Sequence, residues 1–336
     1  MSEFRFWFAN QRGALLALAI FVVMFAVYIT NHPAVVNGGF TVQAVGNVVQ
    51  TAANKGVLLA LVAMAQTFVV LTAGIDLSVG MVFILANCLA SYTVAGPLPM
   101  AILGVLEVLA AGALCGAINA LIVIFGRLQP IVVTIATGAV FFGIALWLRP
   151  FPGSPPNFNS DLADFFTGKI FDIIPTSLVM LLVIVLVVWI PVRRSEIGRA
   201  IYATGSSEIA AYMSGMPIRR AKFLAYVLAG LLASMGGVFL TFFTYSREAS
   251  AANGSTYTLY SIASVVLGGV SLFGGRGSAV GAIFGALAFR AIGDLLFVFN
   301  LDPLWQPLFQ GVVLLIAVSI GSARLFQVRN RLELFG

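Results

Sequence analysis

Charge is scarce in this chain. Its 336 residues include 18 Lys or Arg and 12 Asp or Glu, 9 % in all, where soluble domains carry ~25 %. There are three lysines, one histidine and two cysteines. None of the lysines sits in a phosphate-binding loop of the G-x-x-x-x-G-K-[ST] type: Gly168-Lys169 is followed by Ile170 and has Ala163 where the first glycine belongs. ATP hydrolysis by this chain is therefore not expected. The lone His32 has no Ser/Asp or Cys partner set within reach, so no catalytic residue is assigned. Cys88 and Cys115 lie inside apolar runs and read as small buried thiols, not as a crosslink or metal ligands.

What fills the chain instead is apolar surface. Hydrophobic residues make up 60 % of it and the mean hydropathy is +1.05, more than one water-soluble core of this length could hide. A soluble enzyme, a disordered interaction protein and a disulfide-stapled module are excluded. The pI of 9.6 does not point to nucleic acid, because the basic residues fall in short loops and act as a topology signal.

Ten apolar stretches of spanning length are predicted, near 13–30, 42–73, 79–95, 99–126, 130–148, 171–192, 222–244, 258–272, 278–299 and 304–322. The second is too long for one straight span and is expected to be broken. Arg5 and Arg12 precede the first, but no small-residue cleavage site follows before Asn31, so that span is expected to be retained. A cytoplasmic N-terminus puts thirteen of the 18 basic residues inside, among them Arg127, Arg193, Arg194, Arg199, Arg219, Arg220, Lys222, Arg276, Arg324, Arg329 and Arg331. Only Arg149, Lys169 and Arg247 fall outside. The expected fold is thus an all-α integral membrane bundle of about ten helices, one or more of them broken, with both termini cytoplasmic. Residues 1–336 form a single transmembrane domain, with 193–222 as its main cytoplasmic loop.

Ionisable groups at membrane depth need a partner or a wet cavity. Five are predicted there: Lys55, Asp76, Glu107, Arg290 and Asp294. Arg290 and Asp294 are spaced i, i+4 and are expected to pair on one helix face. Lys55 can snorkel, and Glu107 stands alone. Asp76 belongs to Thr72-Ala73-Gly74-Ile75-Asp76-Leu77-Ser78-Val79-Gly80, where glycines flank an acid and a hydroxyl between apolar runs. This pattern breaks a helix, and Asp76 or Ser78 would cap the free N–H groups of the next one. An ordinary capped turn and a solute contact are both open readings.

A second glycine cluster, Gly268 to Gly277, follows Val265-Val266-Leu267 much as the first follows Val69-Val70-Leu71, a faint internal repeat of the kind transporter halves show. Gly281 and Gly285 have the small-xxx-small spacing of close helix packing. Gln66, Thr67, Asn87, Asn119, Thr134 and Thr137 are polar and uncharged within spans. They suit interhelical hydrogen bonds or the path of a neutral polar solute.

In the 193–222 loop, Ser206 or Ser207 can cap a short helix with Glu208 in its first turn, which Gly215 and Pro217 end. Ile209, Tyr212 and Met213 form its apolar face. So short a helix is marginal alone and must dock, either on the protein's own membrane face or on a separate cytoplasmic subunit.

Gly74-Ile75-Asp76-Leu77-Ser78-Val79-Gly80 resembles the signature of permease subunits of ribose/galactose/xylose-type ATP-binding cassette importers. Gly116 to Ile122 with Gln129 to Thr134, the loop Gly198 to Gly215, and Ile262 to Gly269 with Gly274 to Gly277 are similar in the same order, over roughly residues 40–325. The resemblance implies a pair of permeases, identical or paralogous, in the bacterial inner membrane. Each would be docked on an ATPase subunit that binds ATP and Mg, and a periplasmic binding protein would deliver a monosaccharide. It makes Gly198, Gly205, Ser207, Glu208, Ile209, Ala210, Ala211, Tyr212, Met213 and Gly215 the coupling segment, and Gly74, Asp76, Ser78, Gly80, Asn87, Asn119, Thr134 and Thr137 candidates for the pathway or helix break. Two departures stand out. Tyr257-Thr258-Leu259-Tyr260 replaces a common Tyr-Glu-Leu-Asp, and Ala73-Gly74 replaces Gly-Gly. The alternative is a secondary transporter or channel without an ATPase.

Overall fold

The computed structural model describes residues 2–153, 157–246, 248–316 and 319. Seven of its helices are long and apolar enough to cross a membrane. They lie in α1 (Ser2–Asn31), α3 (Val42–Leu71), α5 (Leu98–Phe125), α6 (Pro130–Leu148), the α8–α9 unit (Thr176–Arg194), α12 (Ile218–Thr244) and α14 (Ala279–Val298). Two shorter apolar helices join them, α4 (Val79–Thr93) and α15 (Gln306–Ile316), with the more polar α13 (Ala251–Leu267). The remaining helices are α2 (Pro33–Val36), α7 (Ser160–Thr167), α10 (Glu196–Ser206) and α11 (Glu208–Met213). α8 (Thr176–Ile184) passes through a π turn at Val185–Trp189 into α9 (Ile190–Arg194). Pro191 supplies the reason, since it has no N–H to continue the α ladder.

Several boundaries differ from the sequence reading. α3 runs unbroken for 30 residues, about 45 Å at 1.5 Å per residue, and the interruption falls after it, at 72–78. Its first turns are packed as well, Gly46 against the Asp172 carbonyl and Val48 with Tyr28 and Val35. Residues 169–175 form a small antiparallel hairpin, Lys169 opposite Pro175, so the next span begins only at Thr176. α13 starts earlier than expected and stops at Leu267. The stretch 193–222 is mostly helical and not an open loop. Arg247 and residues 320–336, with Arg324, Arg329, Arg331 and the end of the last expected span, lie outside the described residues.

α3 is the axis of the molecule, packed by α12, α13, α14 and α8. It is buried almost throughout from Ala53 to Leu71. α12 also packs along α4 and α5, and α1 along α14. Cys88 and Cys115 are free thiols in this interior.

The two Val-Val-Leu segments end their helices in the same way. After Val69-Val70-Leu71, Ala73 N–H donates to Val70 O and Gly74 N–H to Val69 O. After Val265-Val266-Leu267, Gly269 N–H donates to Val266 O and Val270 N–H to Val265 O. Both are Schellman caps with a left-handed residue, Ala73 at φ 62° and Gly269 at φ 79°. The repeat seen in sequence is therefore a shared structural device. Only one copy has the glycine this backbone favours, and an L-residue there costs about 1 kcal/mol. Ala73→Gly is expected to raise the thermal unfolding midpoint of the detergent-solubilised protein by an amount of that order; a lowered midpoint would contradict the strain assigned to Ala73.

Candidate translocation and coupling site

The interruption between α3 and α4 is held by one polar network drawn from four helices. Asp76 is 3 % exposed, and its Oδ1 accepts the Ser78 N–H at 2.8 Å and the Ser78 hydroxyl at 2.6 Å. Ser78 Oγ in turn accepts from Asn119 Nδ2 on α5 at 2.8 Å. Asn119 Oδ1 accepts the Thr137 hydroxyl of α6 at 2.6 Å. Every donor in this chain points towards the carboxylate. Thr134 Oγ1 takes the Leu77 N–H at 2.9 Å, and the Gln66 amide of α3 brackets the Asp76 backbone, donating to its O at 2.9 Å and accepting its N–H at 3.2 Å. Among the described residues no basic side chain forms an ion pair with Asp76. Local backbone polarity, not a counter-ion, surrounds this buried acid.

The expected cap is thus divided between the two candidates. Ser78 occupies the N-cap position of α4 without a side-chain cap bond, and Asp76 holds the Ser78 N–H. The next free donor, Gly80 N–H, goes to Thr258 Oγ1 on α13 at 3.1 Å. Thr258 occupies the position of the acid in the family's Tyr-Glu-Leu-Asp, so the departure noted in sequence lands on a contact to the break. A sequence reading has no signal for this pairing across 178 positions. Gly74 lies beside the Tyr226 hydroxyl. Asn87 is elsewhere: it donates to Thr241 Oγ1 at 2.8 Å and accepts Glu248 N–H at 3.1 Å, fixing the segment after α12.

The second interruption, 268–278, meets the first. Gly275 N–H donates to Leu71 O at 3.1 Å. α10 closes over both: Gly205 packs directly on Leu71 O and Gly275 N, and Tyr202 O–H donates to Gly277 O at 2.7 Å. Burial pushes the Tyr202 phenol up, which keeps it a donor. Gly281 and Gly285 do pack closely, on Gly268 and Ser264 backbone oxygens.

Beyond α10 lies α11. Ser207 caps it through Oγ, accepting Ala210 N–H at 3.3 Å, and Gly215 ends it at φ 70°. Ala210 is exposed and Ala211 buried against the protein. Ile209, Tyr212 and Met213 are 77 %, 77 % and 81 % exposed, so this apolar face is not used for packing on the chain's own surface. Lys222 Nζ holds both Glu208 carboxylate oxygens at 2.8 Å, tying α11 to α12. Gly198 fits against the Val192 carbonyl, where a side chain has no room. α10 itself was not anticipated, although Ser195, whose Oγ accepts Gly198 N–H at 3.0 Å, with Glu196 behind it, is a helix-start signal.

Arg290 and Asp294 act on each other electrostatically but are not joined by a direct ion pair within 4 Å. Asp294 pairs with Lys55 of α3, Nζ to Oδ1 3.7 Å, and Arg290 makes no ion pair among the described residues, its Nε being buried without a partner. Spacing on one helix could not reveal a competitor supplied by another. Glu107 is exposed on α5.

The site thus consists of two helix interruptions in contact with each other and a short helix with an exposed apolar face. The family model for the permease component of branched-chain amino acid transport systems matches residues 48–318. The ribose import permease of Escherichia coli K12 is 32 % identical over 324 residues, 95 % of each chain. That of Bacillus subtilis is 34 % identical over 266 residues, 77 % of this chain and 80 % of its own. A D-allose transport system permease of E. coli is 30 % identical over 316 residues, 94 % and 92 % respectively. No solved structure matches significantly. The chain belongs to this family of ATP-binding cassette importer permeases.

Proposed function

We propose that this permease carries a monosaccharide, or a similar small polar solute, across the bacterial inner membrane in a ten-span arrangement with both ends cytoplasmic. The sugar follows from the ribose and D-allose names of its relatives, and the span count from seven long and two shorter apolar helices together with α13. The family favours the ATP-driven reading over a secondary transporter. A second permease copy, an ATPase that binds ATP and Mg, and a periplasmic binding protein complete the assembly, with lipid around it.

The observation that carries the coupling role is the exposed face of Ile209, Tyr212 and Met213 on a helix tied to α12 and continuous with α10. An ATPase groove covers this face; its movement reaches the interruptions through α10, and Asp76, Ser78, Asn119, Thr134 and Thr137 keep the first interruption in shape while it moves. Gly74 and Gly80 let the break pack closely, and Asn87 supports the segment after α12. Tyr212→Asp buries a charge in the docked groove and is expected to abolish copurification of the ATPase while leaving the permease in the membrane at normal level. Glu208→Lys sets two cations side by side in place of the Lys222 pair and is expected to lower uptake by about tenfold, a cost of about 1.4 kcal/mol. Retained ATPase and normal uptake in both variants would refute the docking role.

A further inference from the structure

The end of α14 farthest from α10 holds a separate polar site. Lys55, Arg290, Asp294 and Gln306 line one cavity there, between α3, α14 and the start of α15. A second, apolar slot shares Arg290 and Asp294 with it and continues along Phe21, Phe25, Leu178 and Leu287, between α1, α3, α8 and α14. The polar cavity and the apolar slot adjoin at Arg290 and Asp294.

The charges there do not balance. Two cations face one carboxylate, and Lys55 already takes that carboxylate at 3.7 Å. Arg290 Nε is buried and unpartnered, although its guanidinium is permanently charged. One turn beyond Gln306, Gln310 is 2 % exposed with both amide atoms unpartnered. Arg290 is half-buried and shares the single Asp294 carboxylate with Lys55, which leaves one positive charge in excess; in a membrane protein such an excess favours an anionic partner. A free oxyanion would satisfy the cations but has no use for the adjoining apolar slot. A neutral sugar has no use for either.

We propose that these adjoining cavities bind one anionic phospholipid, with the phosphodiester against Arg290 and Lys55 and an acyl chain in the slot lined by Phe21, Phe25 and Leu287. Arg290 gives a planar fork of donors suited to phosphate oxygens. Lys55, whose side chain is 34 % exposed, gives a second charge at the rim. The headgroup completes the charge balance that the chain leaves open and anchors α1 to α3 and α14.

The test uses the full-length permease in nanodiscs and in mild detergent, with native mass spectrometry reading bound lipid. Phosphatidylglycerol is expected to be retained at one per chain in preference to phosphatidylcholine of the same chain length. Arg290→Gln and Lys55→Gln should each weaken that retention about fivefold or more, the change for one cationic contact to an anionic headgroup. Asp294→Asn, which removes the competing carboxylate, should strengthen it. Leu287→Trp fills the slot and should expel the lipid. Gel filtration and a thermal scan establish that each variant is folded. Equal retention of the two lipids, or folded Arg290→Gln protein that retains phosphatidylglycerol unchanged, would overturn the proposal. Displacement of phosphatidylglycerol by excess inorganic phosphate, with Leu287→Trp without effect, would also overturn it by assigning the site to a free oxyanion.

Discussion

Gly205→Val is expected to disconnect the cytoplasmic helices from the membrane interior. Any Cβ on Gly205 runs into the Leu71 carbonyl oxygen and the Gly275 nitrogen, both backbone atoms that cannot swing aside as a side chain could. α10 must then lift from both interruptions at once, and the Gly275 N–H to Leu71 O bond and the Tyr202 O–H to Gly277 O bond are both lost. Overpacking at sites with mobile neighbours costs about 1–3 kcal/mol; against rigid backbone the upper end of that range is expected, with uptake falling by tenfold or more. Gly205→Ala should show the same defect in weaker form. Gly143→Ala, with nothing within 4 Å of the added carbon, is the matched control and should leave uptake and melting unchanged or slightly improved. Radiolabelled solute uptake, normalised to permease in the membrane, gives the comparison. Wild-type uptake by Gly205→Val would mean that α10 is not seated on the interruptions as described.

Asp76→Ala is expected to destabilise the protein by about 3 kcal/mol or more. It strips the acceptor from the Ser78 N–H and the Ser78 hydroxyl together, and each buried polar group left unmatched costs about 1–3 kcal/mol. The loss travels outward: with Ser78 free to rotate, Asn119 and then Thr137 lose their fixed partners. Asp76→Asn keeps one oxygen acceptor and should recover much of the stability. Melting of the purified variants and their yield in membranes measure this ladder. If Asp76→Ala melts within a degree or two of the wild type, the carboxylate is not what holds the break.

The contrast between these two sites explains what could be read from the sequence. The break at Asp76 was legible because glycines and polar groups interrupt an apolar run, which is local information. The cap of α11 was legible for the same reason: Ser207, Glu208 and the spacing of Ile209, Tyr212 and Met213 all lie within one short stretch. What stayed hidden depends on chain segments far apart in sequence. Thr258 on Gly80, Gly205 on Leu71 and Lys55 on Asp294 are tertiary matches with no periodic trace. Lys55 beside Asp294 shows the limit most sharply, since the spacing of Arg290 and Asp294 on one helix carries no trace of a second cation supplied by another. The unbroken length of α3 is also illegible locally: apolar length alone does not say whether a 30-residue stretch is one helix or two.

The bond from Gly275 N–H to Leu71 O has a kinetic consequence. It ties the end of the first Val-Val-Leu helix to the interruption that follows the second, and α10 rests on the tie. Through this tie, displacement of one interruption is expected to carry its counterpart with it. Weakening the tie is therefore expected to produce leak, with solute uptake and ATP consumption falling out of step, and not a slower but faithful cycle.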